Sequence, residues 1–297
     1  MNHYLGRFNK TIWLIGDGRS GTTWVSSLIN HDKKCREMFE PIHPELIEES
    51  SFLELHQYVK PGLVNPRLES LVNSILSGKF QSCRVDRDNK KNLLYNGLIV
   101  KDIFANLFAY WAFLKNRNVQ VVLLVRHPFS VALSKAEKKD WLWETDPMSL
   151  MNQDTLFTDY LFPHKSLIEE IVAKENYILN QVLIWAIINY VPLKQFSKGE
   201  LVIVFYENFV LDANKELSKL IGFENIQIDE QIIINPSKVT KKSSSEIQNN
   251  LFKDWNKLLT PIELKEGMRI LQEFGFEDLY DQNSLPNPTA QVLKKFS

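Results

Sequence analysis

Cysteine is scarce in this 297-residue chain: only Cys35 and Cys83 occur. Two thiols cannot build a disulfide framework, and their rarity suits a reducing cytoplasm better than a secreted protein. A charged-then-apolar leader is missing as well. The longest apolar run, Val182 to Val191 with Asn189 inside it, falls well short of the roughly 20 residues that a membrane span needs. It reads as a buried helix, and a cytoplasmic protein without a membrane partner is expected. Net charge is lacking too, since 35 Lys and Arg against 36 Asp and Glu leave −1. No overall field draws in a nucleic acid, so any anion site must be a local cluster of donors. Internal repeats and low-complexity domains are absent. What remains is an ordinary globular composition, 44% apolar and 24% charged, which predicts a single domain over 1–297 around one sizeable core.

Four β-branched runs read as buried strands: Thr11–Ile15, Leu98–Val100, Val119–Val125 and Leu201–Phe205. Most are followed by helical periodicity, so the expected fold class is α/β, a P-loop-type doubly wound parallel sheet of about four to five strands flanked by helices. Residues 43–96 and 137–193 interrupt the alternation and read as largely helical insertions over the sheet that form a pocket. Leu211 to Ile221 has helical spacing and ends at Gly222. Thr260-Pro-Ile-Glu263 has the capping-box pattern, with Gly275 where that helix should stop. Residues 235–250, centred on "KKSSS", read as an exposed mobile loop.

Ligands of an open parallel sheet bind beyond the carboxyl ends of its strands. Past the first predicted strand lies "GDGRSGTTW", residues 16–24. Its outer glycines, Gly16 and Gly21, are spaced as in a nucleotide-binding P-loop, but Thr22 stands where a triphosphatase carries lysine. Lys101 and Asp102 follow the second strand, Arg126 and later Ser134 the third, and Tyr206-Glu207 the fourth. Loop amides and a helix start would cradle one anion, with Arg19, Ser20, Thr22 and Thr23 adding donors. Two more cations, Lys101 and Arg126, predict a ligand with more than one anionic group.

"GDGRSGTTW" resembles the 5′-phosphosulfate loop of the sulfotransferases that use 3′-phosphoadenosine 5′-phosphosulfate (PAPS). "RHPFSVALS" resembles their 3′-phosphate motif, an arginine followed eight positions later by a serine. "VFYENFVLDANKELSKLIGF" is similar to the family's tyrosine-acid strand end and following helix. Together with "FEPIHP", these stretches look most like the soluble bacterial branch, which includes cyanobacterial enzymes that tailor natural products. The resemblance implies that Gly18, Arg19, Ser20, Gly21, Thr22 and Thr23 hold the phosphosulfate, that Trp24 stacks on adenine with help from Tyr206, and that Arg126 and Ser134 bind the 3′-phosphate. It also implies adenosine 3′,5′-bisphosphate (PAP) as the product, a small-molecule acceptor, no required metal, and a monomer or homodimer. Many relatives close the 3′-phosphate site with a late arginine-lysine-glycine motif. This chain has none, and the basic, hydroxyl-rich stretch with Lys242 and Ser243 is the substitute expected.

Sulfuryl transfer needs a base for the acceptor and cations for charge developing on the leaving phosphate. Arg19 and Lys101 are the cations expected. The histidine that often follows the catalytic lysine by two residues is replaced by Ile103, so the base comes from elsewhere: Glu40 first, His43 second, Asp102 third. "KKDWLWETDP" places Trp141 and Trp143 among carboxylates and, with Asp102, is the expected acceptor contact. A cationic acceptor, such as a guanidinium alkaloid toxin of the saxitoxin or cylindrospermopsin type, would suit it. A hydroxyl is the favoured target and an amine or carbamoyl nitrogen the alternative. The competing readings are a small-molecule P-loop kinase, which lacks its lysine here, and a non-catalytic nucleotide-binding module.

Overall fold

In a computed structural model, the described residues are 8–89, 94–138, 141–223, 228, 255–281 and 284–296. Five strands form one sheet: β1 (Lys10–Gly16), β2 (Cys35–Phe39), β3 (Gly97–Asp102), β4 (Gln120–Val125) and β5 (Leu201–Phe205). The spatial order is β2-β3-β1-β4-β5 and every pairing is parallel. Successive side chains point to opposite faces, and both faces are apolar. Trp13, Ile15, Leu98, Val100, Val121, Leu123 and Phe205 enter one core cluster, whereas Ile12, Leu14, Ile99, Val122, Leu124 and Val204 enter another. Burial on both sides is why these strands read as continuous β-branched runs rather than alternating ones.

The second face is covered by α1 (Thr22–Ile29), through Trp24, Val25 and Leu28, and by α7 (Tyr206–Leu217), through Phe209 and Leu217. The first face carries α2 (Pro66–Leu76), α3 (Ala109–Lys115), α4 (Pro128–Lys138), α5 (Lys165–Val172), α6 (Tyr177–Gln195) and α8 (Pro261–Glu273). The expected apolar helix is α6. It begins at Asn176, whose side chain accepts from the Leu179 amide, and nearly all of its residues are buried. Although it falls in a segment read as an insertion over the sheet, α6 is a central element of the core. The capping box of α8 forms as expected, with Thr260 and Glu263 bonding each other's backbone, and Gly275 ends that region at φ 77. α7 starts five residues before Leu211, directly at the strand end, and is kinked at Asp212. No helix among the described residues is long and apolar enough to cross a membrane.

β2 has no counterpart among the four predicted runs, because "CREMF" carries Arg36 and Glu37 in its middle. Both charges are buried yet satisfied. Arg36 binds the Asp86 carboxylate and the Gly78 and Phe80 carbonyls, and Glu37 accepts from Ser26 Oγ at 2.6 Å. β2 is also a sheet edge, and the 80–89 segment covers its end, with Phe39 N–H donating to Val85 O at 2.9 Å.

Gly267 lies inside α8, where alanine would ordinarily raise helix propensity. A Cβ there would sit 2.3 Å from the Phe129 ring of α4. Gly267→Ala is therefore expected to destabilise the fold by about 1–3 kcal/mol through overpacking, read as a lower urea midpoint; a raised midpoint would refute this packing argument.

Candidate active site

The strand register sets the site. Gly16 pairs with Leu124, Ile15 with Asp102, Phe39 with Lys101 and Val125 with Phe205, so the five carboxyl ends form one rim. The β1–α1 loop rises from its centre. Gly21 adopts φ 91 as the cap residue of α1, and a Cβ on it would lie 2.5 Å from the Tyr206 ring. A Cβ on Gly18 would overlap the Trp141 ring, at 1.8 Å. These glycines are needed where Tyr206 and Trp141 press against the loop.

Asp17, which the motif reading passed over, anchors the loop from below. It is fully buried, and Lys135 Nζ of α4 donates to both its carboxylate oxygens at 2.8 and 2.9 Å. Burial disfavours both charges, and each offsets the penalty of the other. Lys135 follows Ser134 in the chain, so the pair also brings the 3′-phosphate motif to the loop. Arg19 Nε approaches Ser134 Oγ at 3.4 Å, Arg126 Nη1 donates to Arg19 O at 2.9 Å, and the Arg126 guanidinium lies 4.4 Å over the Tyr206 ring. Tyr206 meets Trp24 edge-on at 5.4 Å. Arg19, Trp24, Arg126, Ser134 and Tyr206 thus form one contiguous set. In this set and the adjoining loop, Ser20 Oγ, Trp24 Nε1 and Arg126 Nε are buried without a partner among the described residues. Unmet buried donors cost about 1–3 kcal/mol each. Three of them beside a glycine loop with Thr22 and Thr23, two arginines and two aromatic rings fit an anionic nucleotide.

The second half of the site lies beyond β2 and β3. Glu40 extends the ladder by one bond, its N–H donating to Lys101 O at 2.7 Å, and then turns the chain with φ 49. That left-handed conformation is unusual for a non-glycine residue. It delivers the carboxylate to Lys101, whose ammonium contacts Glu40 Oε1 and lies 4.0 Å over the Phe39 ring. Arg84 Nη2 stands 3.6 Å from Glu40 Oε2. Burial opposes the carboxylate charge, but Lys101, joined by Arg84, outweighs it and holds the carboxyl below its usual range.

His43 is wholly buried three residues on. Its Nδ1 accepts from the Glu45 amide at 3.3 Å, and its Nε2 has no partner among the described residues. Burial lowers its pKa to about 4, so it is neutral near pH 7. A wall of rings runs from it in both directions, to Phe104 at 4.9 Å and then His56 at 5.0 Å, and to Trp143 at 5.1 Å and then Trp141 at 4.9 Å. His56 carried no signal in the sequence, being a lone histidine in an irregular stretch. It is buried with both ring nitrogens unpartnered among the described residues, and burial, helped by Lys135, lowers its pKa to about 3.

Two expectations need correcting. Asp102, offered as a base and acceptor contact, points into the core. It accepts from Trp13 Nε1 at 3.0 Å and from the Ile42 amide at 3.1 Å, and burial raises its pKa to about 7. It pins the 40–43 turn to the sheet and leaves no oxygen for a substrate. Trp141 does not offer a free ring face for a cation, because Lys135 Nζ lies 4.8 Å over it and Gly18 packs against it. Lys242, Ser243 and the 235–250 loop lie outside the described residues.

A five-stranded parallel sheet whose central glycine loop carries Arg19, meets Arg126 from the end of β4 and neighbours a buried lysine-glutamate pair has the donor set of an anion-binding enzyme. The chain matches the sulfotransferase domain family over residues 9–273 and belongs to it. Comparison with curated proteins yields no match. Among solved structures it is similar to the sulfotransferase domain from the curacin biosynthetic pathway, with 16% identity, 91% of this chain and 99% of that one covered, and a TM-score of 0.47. A mouse sulfotransferase complexed with PAP gives 14%, 98%, 90% and 0.45 for the same quantities. The sulfotransferase domain of the Synechococcus PCC 7002 olefin synthase gives 14%, 94%, 97% and 0.43.

Two stability tests follow from this site. Lys135→Met strands a buried carboxylate and should cost about 3–5 kcal/mol. The double variant Asp17→Asn, Lys135→Met should recover part of that loss in urea unfolding; equal losses would deny the coupling. The second concerns acid. His56 titrates lower when folded than its ordinary 6.5, so the folded state binds fewer protons below pH 6.5 and loses stability as pH falls from there toward 3. His43 and His127 share this sign, whereas Asp102 and Glu207, both raised to about 7, act oppositely between about pH 4 and 7. Against that background His56→Phe should remove about 2 kcal/mol of the wild-type loss between pH 7 and pH 5. Parallel stability profiles for the two proteins would contradict the assignment.

Proposed function

We propose that this sulfotransferase uses PAPS and delivers its sulfuryl group to a hydroxyl of a small molecule. The observation that carries the reading is the joining of Arg126 and Ser134 to Arg19 and the glycine loop, one contact set for two separated anionic groups. When bound, PAPS supplies the sulfuryl group. The residues that would hold it are Arg19, Ser20, Gly21, Thr22 and Thr23 at the phosphosulfate, Arg126 and Ser134 at the 3′-phosphate, and Trp24 with Tyr206 at adenine.

Arg19 and Lys101 then stabilise charge on the leaving phosphate. Glu40 takes the acceptor proton, since it is a rim carboxylate beside Lys101 with one oxygen held only at ion-pair distance. His43, neutral and with a free Nε2, serves as an acceptor contact beside it. The ring wall from His56 to Trp141 excludes water from the acceptor side. Of the expected guanidinium acceptor the geometry adds nothing in support: Trp141 is taken by Lys135, and Glu144 turns to accept from the Asp146 amide.

The test is transfer from PAPS to a panel of small hydroxyl compounds, with sulfated product read by mass spectrometry. Glu40→Gln should lower turnover by roughly 10²–10⁴ while sparing donor binding, and Arg126→Ala should raise the KM for PAPS. Near-normal turnover of Glu40→Gln would exclude it as the base; transfer of phosphate from magnesium ATP would replace the reading with a kinase.

A further inference from the structure

Glu40 sits among more positive charge than it can neutralise. Lys101 contacts one of its oxygens and Arg84 lies 3.6 Å from the other. The Arg87 guanidinium covers the ring of the preceding residue, Phe39, at 3.6 Å. Arg87 has a counter-charge of its own in Asp88, at 3.3 Å. Among the described residues Lys101 and Arg84 share the single carboxylate of Glu40, a surplus of one positive charge.

Arg84 is the loosely held member. Its contact with Glu40 is an ion pair beyond good hydrogen-bond length, and its Nη1 is buried without a partner among the described residues. Its side chain remains 27% exposed, so it reaches inward from the surface toward Glu40. A guanidinium presents a planar fork of donors that matches a carboxylate. Here that fork is almost unused. Arg36, by contrast, is saturated by Asp86 and two carbonyls, which fixes the segment carrying Arg84.

We propose that Arg84 recognises the acceptor, and that the acceptor is a hydroxylated monoanion, a hydroxy acid whose carboxylate lies on Arg84 while its hydroxyl lies against Glu40. This rests on the reading of Glu40 as the base. The surplus of one charge matches a monoanion. A cationic acceptor would instead meet Lys101, Arg84 and Arg87 together. Engaging Arg84 also draws one of two cations away from Glu40, which raises the proton affinity of the base when a suitable acceptor arrives.

Calorimetry on wild type and variants tests this in two stages. PAP is titrated first; failure to bind PAP counts against the donor reading alone, and the acceptor stage is then run on the free protein. 4-Hydroxyphenylacetate and 3-hydroxyoctanoate are next titrated against their primary amides. In at least one pair the acid should bind tighter by about tenfold or more, the effect of a charge-assisted bond. Arg84→Gln should equalise acid and amide without changing PAP affinity, and Arg84→Lys should keep part of the preference. Equal binding of acid and amide in both pairs, no binding of either, or an acid preference that survives Arg84→Gln overturns the proposal.

Discussion

The buried ion pair between Asp17 and Lys135 is the constraint on which the rest of the site depends. It joins the loop after β1 to the helix after β4, 118 residues apart in sequence, with both groups almost fully removed from water. A buried pair of this kind adds little stability in itself, since its desolvation cost is comparable to its attraction. Its effect is positional. By fixing Lys135 it fixes Ser134, and by fixing Asp17 it fixes the backbone that presents Arg19. The glycine loop and the Arg126–Ser134 segment therefore keep their spacing, so the ligand proposed to span them has less to order on binding.

Around that joint the site divides by chemistry. The half proposed for the donor is made of amides, hydroxyls, arginines and two rings, and its buried atoms without a partner among the described residues include Ser20 Oγ, Trp24 Nε1 and Arg126 Nε. The half proposed for the acceptor is a wall of rings centred on His43, beside one carboxylate under two cations. Neutral histidines suit that wall, because burial removes their charge and leaves nitrogens that can either donate or accept. Lys101 belongs to both halves. It stands next to Glu40 and at the rim beside the glycine loop, so charge changes on one side are felt on the other.

Much of this site is legible in the sequence, for a physical reason. Residues that follow a buried β-branched run must emerge at the carboxyl rim of a parallel sheet, so the strand pattern alone groups Arg19, Lys101, Arg126 and Tyr206. The same rule misplaces Asp102. It also ends a strand, but its side chain alternates away from that of Lys101 and enters the core beside Trp13. β2 is invisible to the pattern because its central residues are charged, and the partners that satisfy them, Asp86 by charge and Ser26 by a hydrogen bond, lie in other elements. The Asp17–Lys135 pair and the unpartnered His56 leave no local pattern either, since both are products of long-range packing.

The measurement that bears most directly on the central claim is the thermal shift of the purified protein with PAP, set against ADP and against ATP with magnesium. A ligand at about 100 times its dissociation constant stabilises the folded state by roughly 2.7 kcal/mol. A shift with PAP that ADP does not reproduce, and that Arg126→Ala abolishes, is the result this account requires. A shift with magnesium ATP and none with PAP would contradict it.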